Sequence, residues 1–255
     1  MHWRAFRPIC YSNQDAAGSG RLNDKPNIAP KAASASGAVD AFLEEMNTLA
    51  PAQGQGRGRL VFALDATMSR QPTWDLAQSI QSEMFVAAAA QGGLDVQLVY
   101  FRGLAECRAS RFVSDGKGLS ALMSGISCHA GLTQLNKVLR HTLDEARARP
   151  VAALIYIGDA MEENPDRLAS AAGELGLLGV KAFMFQEGSD PATERVFREI
   201  ARLSGGAYAT FDASAAQRLA ALLKAVAAYA SGGRAALERR AREGEAAATL
   251  LLSQI

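Results

Sequence analysis

The chain has 255 residues, of which 49% are hydrophobic and 21% charged, a composition typical of a globular protein with a sizeable core. Its 27 Lys and Arg residues nearly balance 26 Asp and Glu residues, which gives a formal net charge of +1 and argues against a protein held on nucleic acid mainly by phosphate neutralisation. The 3 cysteines form no CxxC pair, which excludes a thiolate zinc site of the usual spacing and a dense disulfide framework.

The N-terminal part of the chain is predicted to contribute little to the core. Residues 1–36 are rich in Ser, Asn, Gly, Ala and Pro without hydrophobic periodicity, which is typical of a disordered leader. Apolar residues between 39 and 49 then recur at helical spacing, and a glycine-rich stretch follows at 54–58. We therefore expect residues 37–58 to form a short amphipathic helix and a linker.

From Arg59 onward the sequence alternates between strand and helix patterns. Strands are predicted at 60–64, 94–101, 107–114, 151–157, 180–185 and 207–211, and helices at 77–88, 166–178, 193–203 and 215–229, with two more between 119 and 149. This alternation predicts an α/β fold with three α-β-α layers around a doubly wound, mostly parallel sheet of about six strands. One antiparallel edge strand, 107–114, completes it. The domain is predicted to span 59–231, with a helical C-terminal tail over 232–255 that packs back on it or marks an interface.

Oxygen-bearing side chains follow the apolar strands of this predicted sheet. Asp65, Thr67 and Ser69 come after the first strand, Asp159 follows the strand at 151–157, and Thr133 stands where a loop meets a helix. Ligands of open α/β sheets bind at the carboxyl ends of the strands, and a donor set made only of oxygens suits Mg²⁺, with Mn²⁺ as an alternative. The neutral hydroxyls leave such an ion electrophilic, so that it can accept a carboxylate from a partner.

These residues resemble the metal-ion-dependent adhesion site of the von Willebrand factor A family. Asp65-x-Thr67-x-Ser69, Thr133 and Asp159 match that motif in order and placement, and the resemblance extends over roughly 59–229. The chain departs from the usual pattern at three points: Thr67 replaces a serine, Ala160 replaces a glycine, and Leu132 replaces the second residue of a Gly-Gly pair. The resemblance implies a protein-interaction module without catalysis, in which a divalent cation binds an Asp or Glu of the partner.

The sequence also gives indications of the cellular location of the protein. No stretch approaches 18 consecutive apolar residues, so we expect no membrane insertion. No apolar signal core follows Arg4 and Arg7, and scattered cysteines are typical of a reducing compartment. Within the family, these features indicate a bacterial-type intracellular member that is located in the cytoplasm.

Other interpretations of the same residues remain open at this point. Ser69 and Thr133 could simply cap helices, because Ser and Thr are common at that position, and the domain would then be a metal-free scaffold. A Mg²⁺-dependent phosphohydrolase of the haloacid dehalogenase type would use Asp65 as its nucleophile and Lys117 or Lys137 to bind phosphate.

Three further side chains have two interpretations each. Glu162 and Glu163 either add charge near the ion or lie on a solvated approach to a helix. Trp74 is either a core residue or an interface anchor.

Overall fold

The computed structural model describes residues 6–9, 57–67, 71–80, 82–89, 93–211 and 216–255. Ser69 and the predicted helix and linker between 37 and 56 lie outside these residues. All of the described residues belong to one compact unit, which comprises Met1–Cys10 and Gln55–Ile255.

A seven-stranded sheet forms the centre of this unit. Its strands are β1 Phe6–Pro8, β2 Gly58–Asp65, β3 Leu94–Arg102, β4 Glu106–Val113, β5 Ala153–Gly158, β6 Lys181–Glu187 and β7 Ala207–Phe211. The described helices are α1 Gln71–Ile80, α2 Ser82–Ala89, α3 Gly116–Met123, α4 Leu135–Ala148, α5 Pro165–Leu177, α6 Pro191–Ser204, α7 Ala216–Arg242 and α8 Ala246–Leu252. None of the helices in the described ranges is both long and apolar enough to span a bilayer.

The strand order β1-β4-β3-β2-β5-β6-β7 confirms the predicted doubly wound sheet. Strands β3, β2, β5, β6 and β7 run parallel to one another, whereas β4 runs antiparallel to both of its neighbours. After β2, the strands β3 and β4 are added in turn on one side of it, and β5 is then added on the other side of β2. The strand order therefore reverses between β2 and β5, which is where ligands bind in folds of this type.

The central strand β2 is buried on both faces, as its continuous apolar run predicts. Leu60 and Phe62 are fully buried on the face that packs against α7, as is the indole of Trp74, which is 1% exposed. Trp74 is therefore a core residue, and its indole N–H donates to the carbonyl of Met123 at 3.4 Å. The interpretation of Trp74 as an interface anchor is wrong.

Aromatic packing ties the strands together on the opposite face of β2. Ala63 is paired in register with Tyr156 of β5, and its small side chain lets the Tyr156 ring reach across the strand. That ring stacks on Phe101 of β3 with 6.1 Å between centroids and meets the edge of Phe197 of α6 at 5.4 Å. Contacts of this geometry stabilise the sheet beyond the burial of apolar area.

A short strand lies in the segment that sequence analysis assigned to a disordered leader. Phe6–Pro8 pairs antiparallel with β4, and the Phe6 ring meets the edge of Tyr100 at a centroid distance of 5.3 Å. Arg7 forms an ion pair with Glu145 of α4. The leader prediction is therefore wrong for these three residues, and β4 is covered by β1 along part of its length instead of forming the sheet edge.

The C-terminal residues fold back onto the same unit. Helix α7 is broken at Gly233, whose φ of 63° and ψ of −164° are not helical, so it consists of two helical stretches, the first of which passes the predicted end at 229. In α8, Ala248 and Leu251 are fully buried. The side-chain amide of Gln254 then pairs with the backbone of Tyr208 in β7: its oxygen accepts the Tyr208 N–H at 2.8 Å, and its nitrogen donates to the Tyr208 carbonyl at 3.0 Å.

Candidate metal centre

Two aspartates leave the sheet side by side at the point where the strand order reverses. Leu64 of β2 is paired with Ile157 of β5, so Asp65 and Asp159 follow neighbouring strand ends on one edge. Asp65 is 4% exposed and Asp159 is half-buried. The backbone N–H of Thr67 donates to Oδ1 of Asp65 at 2.8 Å, which turns the chain back over the strand end and places a buried threonine beside the carboxylate.

Backbone contacts bring the loop that carries Thr133 to the same edge. The N–H of His129 donates to the carbonyl of Ala66 at 2.9 Å, and the N–H of Leu132 donates to the carbonyl of Gly103 at 3.0 Å. A Cβ atom on Gly131 would lie 2.2 Å from the Gly103 nitrogen, so only a glycine allows this close approach. Thr133 is 8% exposed and belongs to the edge at which the two aspartates emerge.

Thr133 is not the cap of helix α4. The N-cap residue is Gln134, which makes no capping hydrogen bond with its side chain. The hydroxyl of Thr133 instead donates to Oε2 of Glu162 at 3.0 Å and accepts the backbone N–H of Glu162 at 3.3 Å. The helix-cap interpretation of Thr133 is therefore wrong, and its hydroxyl lies on the side of the loop that follows β5.

The two glutamates after Asp159 have roles that sequence analysis did not identify. The Glu163 carboxylate accepts hydrogen bonds from the backbone N–H groups of Leu135 and Asn136, the latter at 3.1 Å. It thus supplies the acceptor that α4 lacks at its N-terminus. Burial raises the pKa of Glu163, and the two backbone hydrogen bonds act in the opposite direction. The interpretation as a solvated approach to α5 is therefore wrong for Glu163, whereas Glu162 is exposed.

No local signal in the sequence identifies this arrangement, because Thr133 stands where a helix cap is expected. No Asp, Asn, Ser or Thr stands at the N-cap of α4, because Gln134 occupies that position. A helix that begins in this way needs an acceptor from elsewhere. A glutamate in the loop after β5 can supply that acceptor. Only the strand order shows that this loop lies close to the N-terminus of α4.

The described residues fit a hard cation better than a transition metal. Asp65 and Asp159 offer carboxylate oxygens, and Thr67 and Thr133 offer hydroxyl oxygens. Within the described part of the chain, no group of three or more His, Cys, Asp or Glu side chains is placed to hold a metal ion. A site on this edge would therefore depend on hydroxyls and water for the rest of its coordination, which suits Mg²⁺, since it usually keeps several waters and binds one or two carboxylates.

The lysines considered for phosphate binding are placed differently from each other. The Lys137 ammonium donates to the carbonyl of Ala105 at 3.0 Å and to Oε1 of Gln134 at 2.8 Å, so it joins α4 to the turn between β3 and β4. Lys117 is exposed on α3. At the position where the phosphohydrolase pattern has its second aspartate stands Thr67, whose backbone N–H contacts Asp65.

Comparison with known proteins identifies the fold. No protein-family model matches the sequence, and no curated protein does. Among solved structures, the VWA domain of SpRpn10 matches with 9% identity and a TM-score of 0.50, over 64% of this chain and 95% of that one. Proximal thread matrix protein 1 from the mussel byssus, with a zinc-occupied MIDAS motif, matches with 14% identity and a TM-score of 0.52, over 68% and 46%.

A third match is the D319A mutant of the PilB minor pilin from Streptococcus sanguinis, with 12% identity and a TM-score of 0.50, over 69% of this chain and 62% of that one. The chain thus spans nearly all of the SpRpn10 domain but less than two thirds of the mussel and pilin chains. At these identities the likeness concerns the fold and not the activity. The strand order, the antiparallel β4 and these matches together show that the chain has the von Willebrand factor A fold.

Proposed function

We propose that this protein is a non-catalytic interaction module that binds a protein partner through a divalent cation. The ion is Mg²⁺, with Mn²⁺ as a substitute, and the partner presents an Asp or a Glu. The proposed ligands are Asp65, Thr67, Ser69, Thr133 and Asp159. The observation that carries this proposal is the convergence of two aspartates and two buried threonines on one sheet edge, where the strand order reverses.

The charges of these residues favour an acidic partner once a cation is bound. Asp65 and Asp159 together carry about the charge that one divalent ion neutralises, and the hydroxyls of Thr67 and Thr133 add none. The bound ion would supply an electrophilic position for an incoming carboxylate. Asp65, Thr67 and Thr133 are buried, and electrostatic interactions are stronger at buried positions than in bulk water.

Exposed apolar side chains beside the site support a protein as the partner. Leu104 is 82% exposed and Leu132 is 53% exposed. They lie on two loops that are joined by the hydrogen bond from Leu132 to the carbonyl of Gly103, next to Thr133. A single exposed leucine is ordinary, but two on contacting loops next to a polar site are typical of a binding surface.

Known neighbours of the same fold support the metal and the interaction role in general terms. The mussel matrix protein has a zinc-occupied MIDAS motif, so this fold can hold a divalent ion at that motif. For the present chain we propose Mg²⁺, because the donors are oxygens, and a location in the bacterial cytoplasm, because the scattered cysteines are typical of a reducing compartment.

Thermal unfolding of chelator-treated protein tests the metal site. A ligand that binds only the folded state at 100 times its Kd stabilises by about 2.7 kcal/mol, which corresponds to a rise in Tm of about 5–10 °C for a domain of this size. We expect this rise with Mg²⁺ or Mn²⁺ for the wild type and for Lys117→Ala, an exposed control. Asp65→Asn and Asp65→Ala should lose it.

An equal rise in Tm for wild type and both Asp65 variants would refute the metal site. Two further assays address the other interpretations. Hydrolysis of aryl phosphates that Asp65→Asn abolishes would favour the phosphohydrolase, and a partner retained equally well with and without chelator would favour the scaffold.

A further inference from the structure

We infer that Glu162 is a positioning residue of the proposed metal site. Its carboxylate accepts a hydrogen bond from the Thr133 hydroxyl and so holds the hydroxyl oxygen in the orientation that cation binding needs. This inference rests on the proposed function and assigns a role to a residue outside the adhesion motif. The loop after β5 contacts the loop before α4, although the residues that meet are 29 positions apart in the sequence.

Three hydrogen bonds connect Glu162 to Thr133. Oε2 of Glu162 accepts the Thr133 hydroxyl at 3.0 Å and the Thr133 backbone N–H at 3.2 Å. In the opposite direction, the Glu162 backbone N–H donates to the Thr133 hydroxyl oxygen at 3.3 Å. Because these bonds involve both the backbone and the side chain of Thr133, they hold its hydroxyl in one orientation.

The hydrogen-bonding capacity of a hydroxyl shows what this leaves for a cation. A threonine hydroxyl has one proton and two lone pairs. The Thr133 hydroxyl donates its proton in a hydrogen bond to the Glu162 carboxylate, and one of its lone pairs accepts the Glu162 N–H. One lone pair of the Thr133 hydroxyl therefore remains for an ion. A charged acceptor also forms the stronger hydrogen bond, and such a bond makes the hydroxyl oxygen a better ligand, as outer partners of metal ligands generally do.

The neighbouring Glu163 provides a natural control. Its carboxylate contacts the backbone N–H groups of Leu135 and Asn136 and serves the N-terminus of α4. Two adjacent residues of the same type therefore have separable roles, one toward Thr133 and the other toward the helix. Glu162 is exposed, so its replacement removes little buried surface.

Calorimetric titration with Mn²⁺, together with the Tm of the metal-free protein, tests this role. For Glu162→Ala we expect Mn²⁺ affinity to fall by about 10- to 100-fold with little change in the metal-free Tm. Glu162→Gln keeps an acceptor oxygen and should lose less affinity. Glu163→Ala should lower the metal-free Tm and leave the Mn²⁺ affinity within a few-fold of the wild type.

A double-mutant cycle with Thr133→Val separates positioning from a general effect of charge. If Glu162 acts through the hydroxyl, Glu162→Ala has no further effect on affinity once the hydroxyl is absent. An additive loss would overturn the inference, as would unchanged affinity in Glu162→Ala or tighter binding, which would mean that Glu162 competes with the ion. No Mn²⁺ binding by the wild type would instead overturn the proposed function.

Discussion

The buried His141 makes the stability of the domain depend on pH in a calculable way. His141 lies on α4 and is 6% exposed, and its Nε2 is 2.9 Å from Oε1 of Gln97. The amide nitrogen of Gln97 donates to the carbonyl of Ser110 at 3.0 Å, so its oxygen faces the ring and His141 is neutral with its proton on Nε2. Burial lowers the pKa of His141 to about 4, a shift that Glu145 opposes and Arg7 reinforces.

The sign and size of the effect follow from proton linkage. In the unfolded chain a histidine has a pKa of about 6.5. Between pH 6.5 and 4 the unfolded chain therefore binds a proton that the folded chain does not, and stability falls as the pH falls. For His141 alone this amounts to about 2 kcal/mol lost at pH 5 relative to pH 8, and about 3 kcal/mol once the pH is below 4.

Urea unfolding at pH 8 and pH 5 checks this prediction. The variant His141→Gln can still donate to Gln97 but does not titrate, so its loss of stability between the two pH values should be smaller than that of the wild type by about 2 kcal/mol. His129→Gln, at an exposed position, serves as the matched control and should behave as the wild type does. If wild type and His141→Gln lose the same free energy of unfolding, the reasoning from burial is refuted.

Two glycine substitutions give opposite expectations. Gly131→Ala places a Cβ atom 2.2 Å from the nitrogen of Gly103, so the loop that carries Thr133 must shift, and we expect a lower Tm together with a loss of Mn²⁺ affinity; an unchanged affinity would show that the loop position does not matter to the site. Gly173→Ala, in the interior of α5, meets nothing within 4 Å and should raise the free energy of unfolding in urea by about 0.5–1 kcal/mol; a decrease would contradict the open space found there.

Much of the sheet was predictable because its strands are long apolar runs between glycines. The strand predicted at 207–211 is observed as Ala207–Phe211, and the run at 60–64 lies inside Gly58–Asp65. Strand β1 was not predictable, since its three residues are too few to show a period of two and they pair with a strand about a hundred positions later. The predicted end of the helix at 229 is only a few residues early, because α7 is broken at Gly233 and a second helical stretch follows it.

The candidate site also contains features that the sequence predicts and features that it does not predict. The position of Asp65 and Asp159 on one edge of the sheet follows from parallel strands, which the β-α alternation predicts. That the two strands are neighbours is known only from the observed strand order. The contacts of Glu162 and Glu163 depend on which loops meet above the sheet and on a helix without its own cap. The residues in these contacts are 27 to 29 positions apart, so local sequence patterns do not predict that they meet.

The coverage of the two sheet edges has a practical consequence for work on this protein. Strand β1 covers β4, and the amide of Gln254 covers β7 at Tyr208, yet neither segment falls within 59–231. A fragment cut at those boundaries would retain every proposed metal ligand while exposing backbone N–H and C=O groups along part of β4 and those of Tyr208 in β7. Bare strands of this kind are templates for aggregation. Binding experiments are therefore best performed on chains that include residues 1–10 and 232–255.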